Sequence, residues 1–416
     1  MKTVLSVNNY YYFRGGAETV FLEQNRLLEE AGWRVVPFAM RHPKNLPTPW
    51  SDNFVDEIEF GGSYSLGQKL VRVPKVIYSF EARRRIGRLL DAHRPALCHA
   101  HNIYHHISPS ILGLLRRRGV PTVMTLHDLK IACPAYNMLS GDGICERCRG
   151  GRIHNVVRQR CIKGSVALSG IAYAEAMLHR WLGSYTRDVD RFIVPSRFYI
   201  DKFVEWGYSP ERFRHVPNFV DADQFTPNYE PGGGFVYFGR LSREKGVPTL
   251  VRAAARAGVS LRLVGTGPQE AELKELAREL GASVEFMGYQ TGQALHRIVG
   301  EARAVVLPSE WYENAPMSIL EAYALGTPVI GAAIGGIPEL VRPGVTGDLF
   351  PSGDVDQLAG VLARYEAMAA EDIVAMGREA CSWARESFSS RAYVERITDV
   401  YRELGVALEG IEARIQ

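Results

Sequence analysis

The feature that most constrains this chain is a rhythm of short apolar runs, nearly every one followed closely by glycine or proline, with helical patterns between them. Thr3–Val7, Arg34–Ala39, Ala96–Ala100, Thr122–Leu126 and Arg191–Val194 set the rhythm in the first half. Phe235–Phe238, Leu261–Val264, Val284–Phe286, Ala304–Leu307 and Pro328–Ile330 repeat it with greater regularity in the second. Runs of this length suit strands buried on both faces, and their alternation with helices is the pattern of a doubly wound parallel sheet. Helices are expected from Ala17 to Glu30, up to Ala257 before Gly258, and over Met317–Leu325. At 416 residues the chain exceeds the ~100–200 of one domain, so two Rossmann-like α/β domains facing each other across a cleft are expected. The expected boundaries are 1–215, with a cysteine-rich insertion at about 133–163, then 216–385, then a helix in 386–416 packing back on the first domain. Open sheets of this kind bind ligands beyond the carboxyl ends of their strands, which here would face the cleft.

Composition removes several alternatives. With 46% hydrophobic and 23% charged residues the chain is neither disordered nor fibrous. No window approaches the ~18 apolar residues of a membrane span. The start reads as a first strand rather than a signal peptide, so the expected compartment is the cytoplasm, with peripheral attachment to the inner membrane face. Net charge is divided: residues 1–190 carry +10 and the remainder −7. A basic half calls for an anionic ligand, a membrane surface or nucleic acid, against ordinary solvated arginine faces.

Two stretches carry chemistry. In Pro308-Ser309-Glu310-Trp311-Tyr312-Glu313-Asn314-Ala315-Pro316-Met317, Glu313 precedes a helix start marked by Pro316. The amides of Asn314, Ala315 and Met317 would lie at the positive end of that helix, suited to phosphate or sugar oxygens. Glu321, further along, can accept paired hydroxyl bonds from a ribose. In Gly239-Arg240-Leu241-Ser242-Arg243-Glu244-Lys245-Gly246, Arg240 and Lys245 can reach one diphosphate at the strand ends and stabilise charge on a departing one.

Glu313 and Glu321, Arg240 and Lys245, Gly265-Thr266-Gly267-Pro268 and the Gly15-Gly16 loop together resemble the retaining glycosyltransferases of family 4, the group 1 glycosyltransferases, which have the GT-B fold. The likeness runs over nearly the whole chain, strongest from Val236 to Pro351 and looser between 40 and 95. It implies transfer of a sugar from a nucleotide-diphosphate sugar to a glycan, glycolipid or lipid-linked acceptor, with retained anomeric configuration and no cofactor required for catalysis. It implies that Glu313, His127, Arg240 and Lys245 are catalytic. Gly15, Gly16, Gly265, Asn314, Ala315, Pro316, Met317 and Glu321 would join Arg240 and Lys245 in binding the donor. Nucleic acid is not an expected partner. A nucleotide-sugar epimerase and a sugar-nucleotide-binding protein without turnover remain the alternatives.

Three further stretches stand apart. Cys133, Cys145, Cys148 and Cys161 lie in a segment too poor in large apolar residues to build its own core, so a structural zinc site would explain how it folds. Free thiols on a loop ordered by packing are the alternative. His99, His101, Asn102 and His105 follow a strand expected to end at the cleft and suit acceptor hydroxyls, or else simple packing. Residues 67–94 combine Lys69, Arg72, Lys75, Arg83, Arg84, Arg85, Arg88 and Arg94 with an apolar stripe, suited to anionic lipid or to a core-facing helix with a solvated basic face.

Overall fold

A computed structural model describes residues 2–57, 74–141, 143–230 and 232–406. The first sheet takes strands β1 (Thr3–Val7), β2 (Arg34–Phe38), β3 (Leu97–Ala100), β4 (Thr122–Thr125), β7 (Arg191–Val194) and β8 (Phe213–His215), in the order β2-β1-β3-β4-β7-β8. Between β4 and β7 a small antiparallel hairpin joins β5 (Leu139–Ser140) to β6 (Gly143–Ile144). The second sheet takes β9 (Phe235–Phe238), β10 (Leu261–Val264), β11 (Val284–Gly288), β12 (Ala304–Leu307), β13 (Val329–Ala332) and β14 (Gly347–Phe350), in the order β11-β10-β9-β12-β13-β14. Both six-stranded sheets are parallel throughout. Each has its crossover beside its first strand, the place where such sheets leave a crevice.

The strand alternation explains how each sheet is covered. In the first, Leu5, Val7, Val36, Phe38, Cys98, Ala100, Met124 and Phe192 pack on one side, against Ile86, Leu89 and Leu115. Val4, Val35, Leu97, Val123 and Ile193 turn to the other side, against Val20, Leu28, Trp33, Tyr393, Ile397 and Tyr401. Successive residues of a strand point to opposite faces, so a continuous apolar run needs a helical layer on each. The helix Gly16–Glu30 supplies part of the second layer. The helix Ser390–Glu403, about 300 residues away in sequence from β3, supplies the rest. Its start is fixed by Ser389, whose hydroxyl accepts the Ala392 N–H, and its end by Glu403, which pairs with Arg191 and Arg214.

Within the basic stretch, residues 58–73 lie outside the described residues, so Lys69 and Arg72 do too. The described part forms the helix Phe80–His93, capped by Ser79. Ile86, Leu89 and Leu90 face the core, and Glu81 takes both Lys75 and Arg85. Among the described residues no helix is long and apolar enough to cross a membrane.

Tyr401 is fully buried, meets Trp33 edge to face and has its hydroxyl 2.6 Å from His99 Nδ1. Tyr401→Ala removes the ring and strands the imidazole, so the expected cost is ~3–5 kcal/mol in urea unfolding. A loss below ~1 kcal/mol would mean that the last helix does not complete the first core.

Candidate active site

At the carboxyl ends of β9, β10 and β12 three loops are pressed together. A Cβ on Gly246 would lie 1.9 Å from the Pro308 carbonyl oxygen, and one on Gly265 2.0 Å from that of Gly239. Glycine is required at both, because each also has positive φ. The close approach sets Lys245 Nζ 2.7 Å from Glu313 Oε1, and the same oxygen accepts the Ser309 hydroxyl at 2.7 Å. Glu313 is only 6% exposed. Burial alone would push its carboxyl up, but Lys245 and the hydrogen bonds outweigh it and hold it below the usual carboxylate range. Arg240 is exposed beyond β9. Glu321 lies within the helix Met317–Ala324; burial pushes its carboxyl up to about 6, with no partner among the described side chains.

The first domain supplies the facing wall. Gly15 and Gly16 open the helix Gly16–Glu30, and a Cβ on Gly16 would lie 3.2 Å from Met317 Cγ, so this loop rests on the start of the helix Met317–Ala324. His127, just beyond β4, is 2.9 Å from His101 Nδ1 through its Nε2, the two rings stacked. Burial holds His127 down to about 4, so it is a neutral imidazole near pH 7. Two carboxylates that the sequence did not single out stand here as well. Glu18 is raised by burial, with Arg14 opposing and Asp128 adding to it, and Asp128 is itself raised to about 6 by burial. Their only sequence signals were adjacency to Gly15-Gly16 and to His127. Tyr136, 48% exposed, feels the charges of Asp128 and Arg14 from the first domain and of Arg240 and Glu244 from the second.

Two of the histidines take the packing alternative. His99 is fully buried: its Nδ1 meets Gln24 and Tyr401, and its Nε2 lies 2.7 Å from Thr125 Oγ1. Both nitrogens are thus engaged, and the ring offers nothing to an acceptor. His101 is also buried, under Phe21. The cause is strand alternation, which sends both side chains beneath helices instead of into the cleft. Asn102 receives its fold from Asn8, whose side-chain oxygen accepts the Asn102 N–H, and His105 lies close by with φ of 70°.

The walls are tied to each other. The Asn314 side chain accepts from Ser196 Oγ at 2.8 Å and donates to the Leu126 carbonyl at 3.0 Å, next to His127. Asn218 donates to the Ala315 carbonyl. Glu339 accepts the N–H groups of Arg197 and Phe198, capping a first-domain helix from the second domain. Tyr199 donates to the Tyr312 carbonyl, and Tyr312 donates to Glu146 of the cysteine-rich segment. Pro316 sits at the N-cap of the helix Met317–Ala324. Cys133 and Cys148 are buried and Cys145 and Cys161 partly so, all four as free thiols.

Two doubly wound domains joined across a cleft, with a charged loop at the strand ends of one and a glycine loop on the other, define the GT-B architecture. The family described as Glycosyltransferase Family 4 matches residues 14–224, just over half of the chain, and that described as Glycosyl transferases group 1 matches residues 222–380. The chain belongs to glycosyltransferase family 4. It is 32% identical over 251 residues to a D-inositol 3-phosphate glycosyltransferase of Saccharomonospora viridis, covering 54% of this chain and 58% of that one. It thus spans a little over half the length of that relative. Among solved structures, sucrose-phosphate synthase of Thermosynechococcus elongatus superposes with a TM-score of 0.71 at 21% identity, over 97% of this chain and 99% of that one. Anabaena HepE in complex with UDP-glucose gives 0.65 at 19% identity, over 97% and 100%.

The Lys245–Glu313 pair has a measurable consequence. Lys245→Met leaves a buried carboxylate without its cation and is expected to cost ~1–3 kcal/mol, less than a fully enclosed pair because the ammonium is partly exposed. Adding Glu313→Gln should recover part of that loss in chemical unfolding. Strictly additive effects of the two changes would show that the pair is not coupled.

Proposed function

We propose that this chain transfers a sugar from a nucleotide-diphosphate sugar, with retained anomeric configuration, to an anionic glycan or lipid-linked acceptor. The observation that carries this reading is the buried Glu313 carboxylate, held by Lys245 at the strand ends, with the next residue, Asn314, bonded to the Leu126 carbonyl beside His127. In the reading, Arg240 and Lys245 take the diphosphate, with Lys245 shared between phosphate and Glu313. Glu321 accepts the ribose hydroxyls, and Glu313 with the amides after it orients the sugar hydroxyls. The bond from the anomeric carbon to the diphosphate oxygen breaks while the acceptor oxygen attacks from the same face, and the departing phosphate takes the acceptor proton. His127, neutral, hydrogen-bonds the donor sugar. Two cations on the leaving group supply the charge stabilisation, so the reading needs no catalytic metal. The solved likeness that holds UDP-glucose supports a nucleotide sugar as donor.

Support for an anionic acceptor comes from the +10 of the first half, and from two similar proteins whose names contain a phosphorylated compound. Trp181 is 81% exposed and Met177 is exposed on the helix Val166–Trp181. Phe80 is 76% exposed on a segment bound to that helix through His179 and Ile77. Apolar side chains beside Arg83, Arg84 and Arg180 suit the interface of an anionic membrane.

The donor assignment is tested by pH. Glu321 must be ionised to accept two hydroxyl bonds, so affinity for a UDP-sugar that the protein turns over should fall as pH drops through about 6. Glu321→Gln should bind it ~10–100-fold more weakly at pH 7.5, through loss of charge-assisted bonds, and show no such step. Wild-type turnover in that variant would remove Glu321 from the site.

The membrane assignment is tested by flotation. The protein should float with anionic vesicles at low salt and release at high salt, and Trp181→Ala should reduce the bound fraction. Equal absence from anionic and neutral vesicles would leave a soluble acceptor as the better reading.

A further inference from the structure

A cavity of about 380 Å³ opens between the two domains, within the ~300–1,000 Å³ usual for small-molecule sites. Pro195 and Pro217 reach it from the first domain, and Ala315 and Leu340 from the second. Trp383 and Phe388 reach it from the end of the helix Ala370–Ser387. None of Arg240, Lys245, Glu313 and Glu321 lines it. Of the residues assigned to the donor only Ala315 touches it, and the Ala315 carbonyl is already taken by Asn218. The apolar part of the wall is braced. Trp383 meets Phe388 edge to face with ring centres 5.1 Å apart, and the Arg342 guanidinium lies 3.8 Å over the Trp383 ring.

Charge on this wall is unbalanced. Arg197, His215 and Arg396 line the cavity with a single carboxylate, Glu339. Each Glu339 oxygen already accepts one N–H, that of Arg197 at 2.8 Å and that of Phe198 at 2.7 Å. Its approach to His215 Nε2 is 3.9 Å. Arg396 donates to the Ser387 carbonyl through Nη1, and among the described residues neither its guanidinium nor that of Arg197 meets a carboxylate. Burial, with Arg197 and Arg396 adding to it and Glu339 opposing, lowers His215, so the ring is neutral near pH 7 and the two guanidiniums carry the charge. The planar fork of a guanidinium matches phosphate oxygens, and two such forks match a dianion. We propose that this cavity binds a small phosphate monoester carried on an apolar ring, its phosphate between Arg197 and Arg396 and its ring against Trp383 and Phe388. Such a ligand touches both domains at once.

The test uses the full chain and phenyl phosphate, followed by titration calorimetry, and is independent of the transfer reading. Phenyl phosphate should bind with a Kd of ~1 mM or tighter, inorganic phosphate more weakly, and phenol not measurably. Arg197→Gln, an exposed change that keeps its backbone N–H on Glu339, should weaken phenyl phosphate ~10-fold or more, and Arg396→Gln should do the same. Arg240→Gln, in the transfer cleft, should leave that affinity unchanged. No binding up to ~10 mM would overturn the proposal, as would equal affinity for phenol or for inorganic phosphate. Binding lost in Arg240→Gln but kept in Arg197→Gln would place the anion in the transfer cleft and overturn it equally. Should Arg396→Gln fail to fold, Arg197→Gln and the three ligands still decide.

Discussion

A carboxylate can be buried only where a cation and hydrogen-bond donors meet it, and at Glu313 that requirement organises the whole cleft. Lys245 has to arrive from the loop after β9, which requires that loop to press against the one after β12 without side chains between them. Ser309 has to turn back from four residues upstream. Once the loop is held so, its next residue, Asn314, is aimed at the opposite domain, where Ser196 and the Leu126 carbonyl receive it. Ion pair, loop contact and interdomain tie are successive consequences of one buried charge.

The first domain has a comparable centre in His99. Its ring links β3 to Gln24 of the helix Gly16–Glu30 and Tyr401 of the last helix, while Tyr393 of that last helix donates to Gln24. His101 and His127 continue the stack toward the cleft. The neutral state of these rings is enforced by burial, so the stack carries hydrogen bonds without charge. The cysteine-rich segment reaches the same cleft from another side, through Glu146 and through Gly141, whose carbonyl accepts from Arg243.

Strands with predominantly apolar sequence were legible because burial on both faces favours that pattern; β1, β7, β9, β10 and β12 fall on their expected residues. The edge strand β8, Phe213–His215, and the mixed β14, Gly347–Phe350, were not, since each carries exposed or polar positions. The two-residue strands β5 and β6 have no periodicity to read. Within the site, Glu313 and Lys245 were recognisable as charges flanking strand ends, but their direct pairing was not. For His99 the sequence left acceptor contact and packing open, because alternation gives the face of a strand, not what covers it, and the cover here is the last helix. Glu339 and Ser196 act across the two domains, a relation that local sequence does not encode.

The chain passes between the domains twice, and the two passages lie side by side. Val220 N–H donates to the Phe388 carbonyl at 2.8 Å, and Val220 pairs in parallel with Ser389. A single connecting strand would act as a swivel, leaving the halves free to twist and slide. Two bonded passages act as a door hinge, with an axis along the paired segments and one easy degree of freedom. Any widening of the cleft is then rotation about Val220 and Ser389, with leverage greatest at the far rim and almost none beside the hinge. Asn314–Ser196 and Glu339–Arg197 tie the two domains to each other away from that axis.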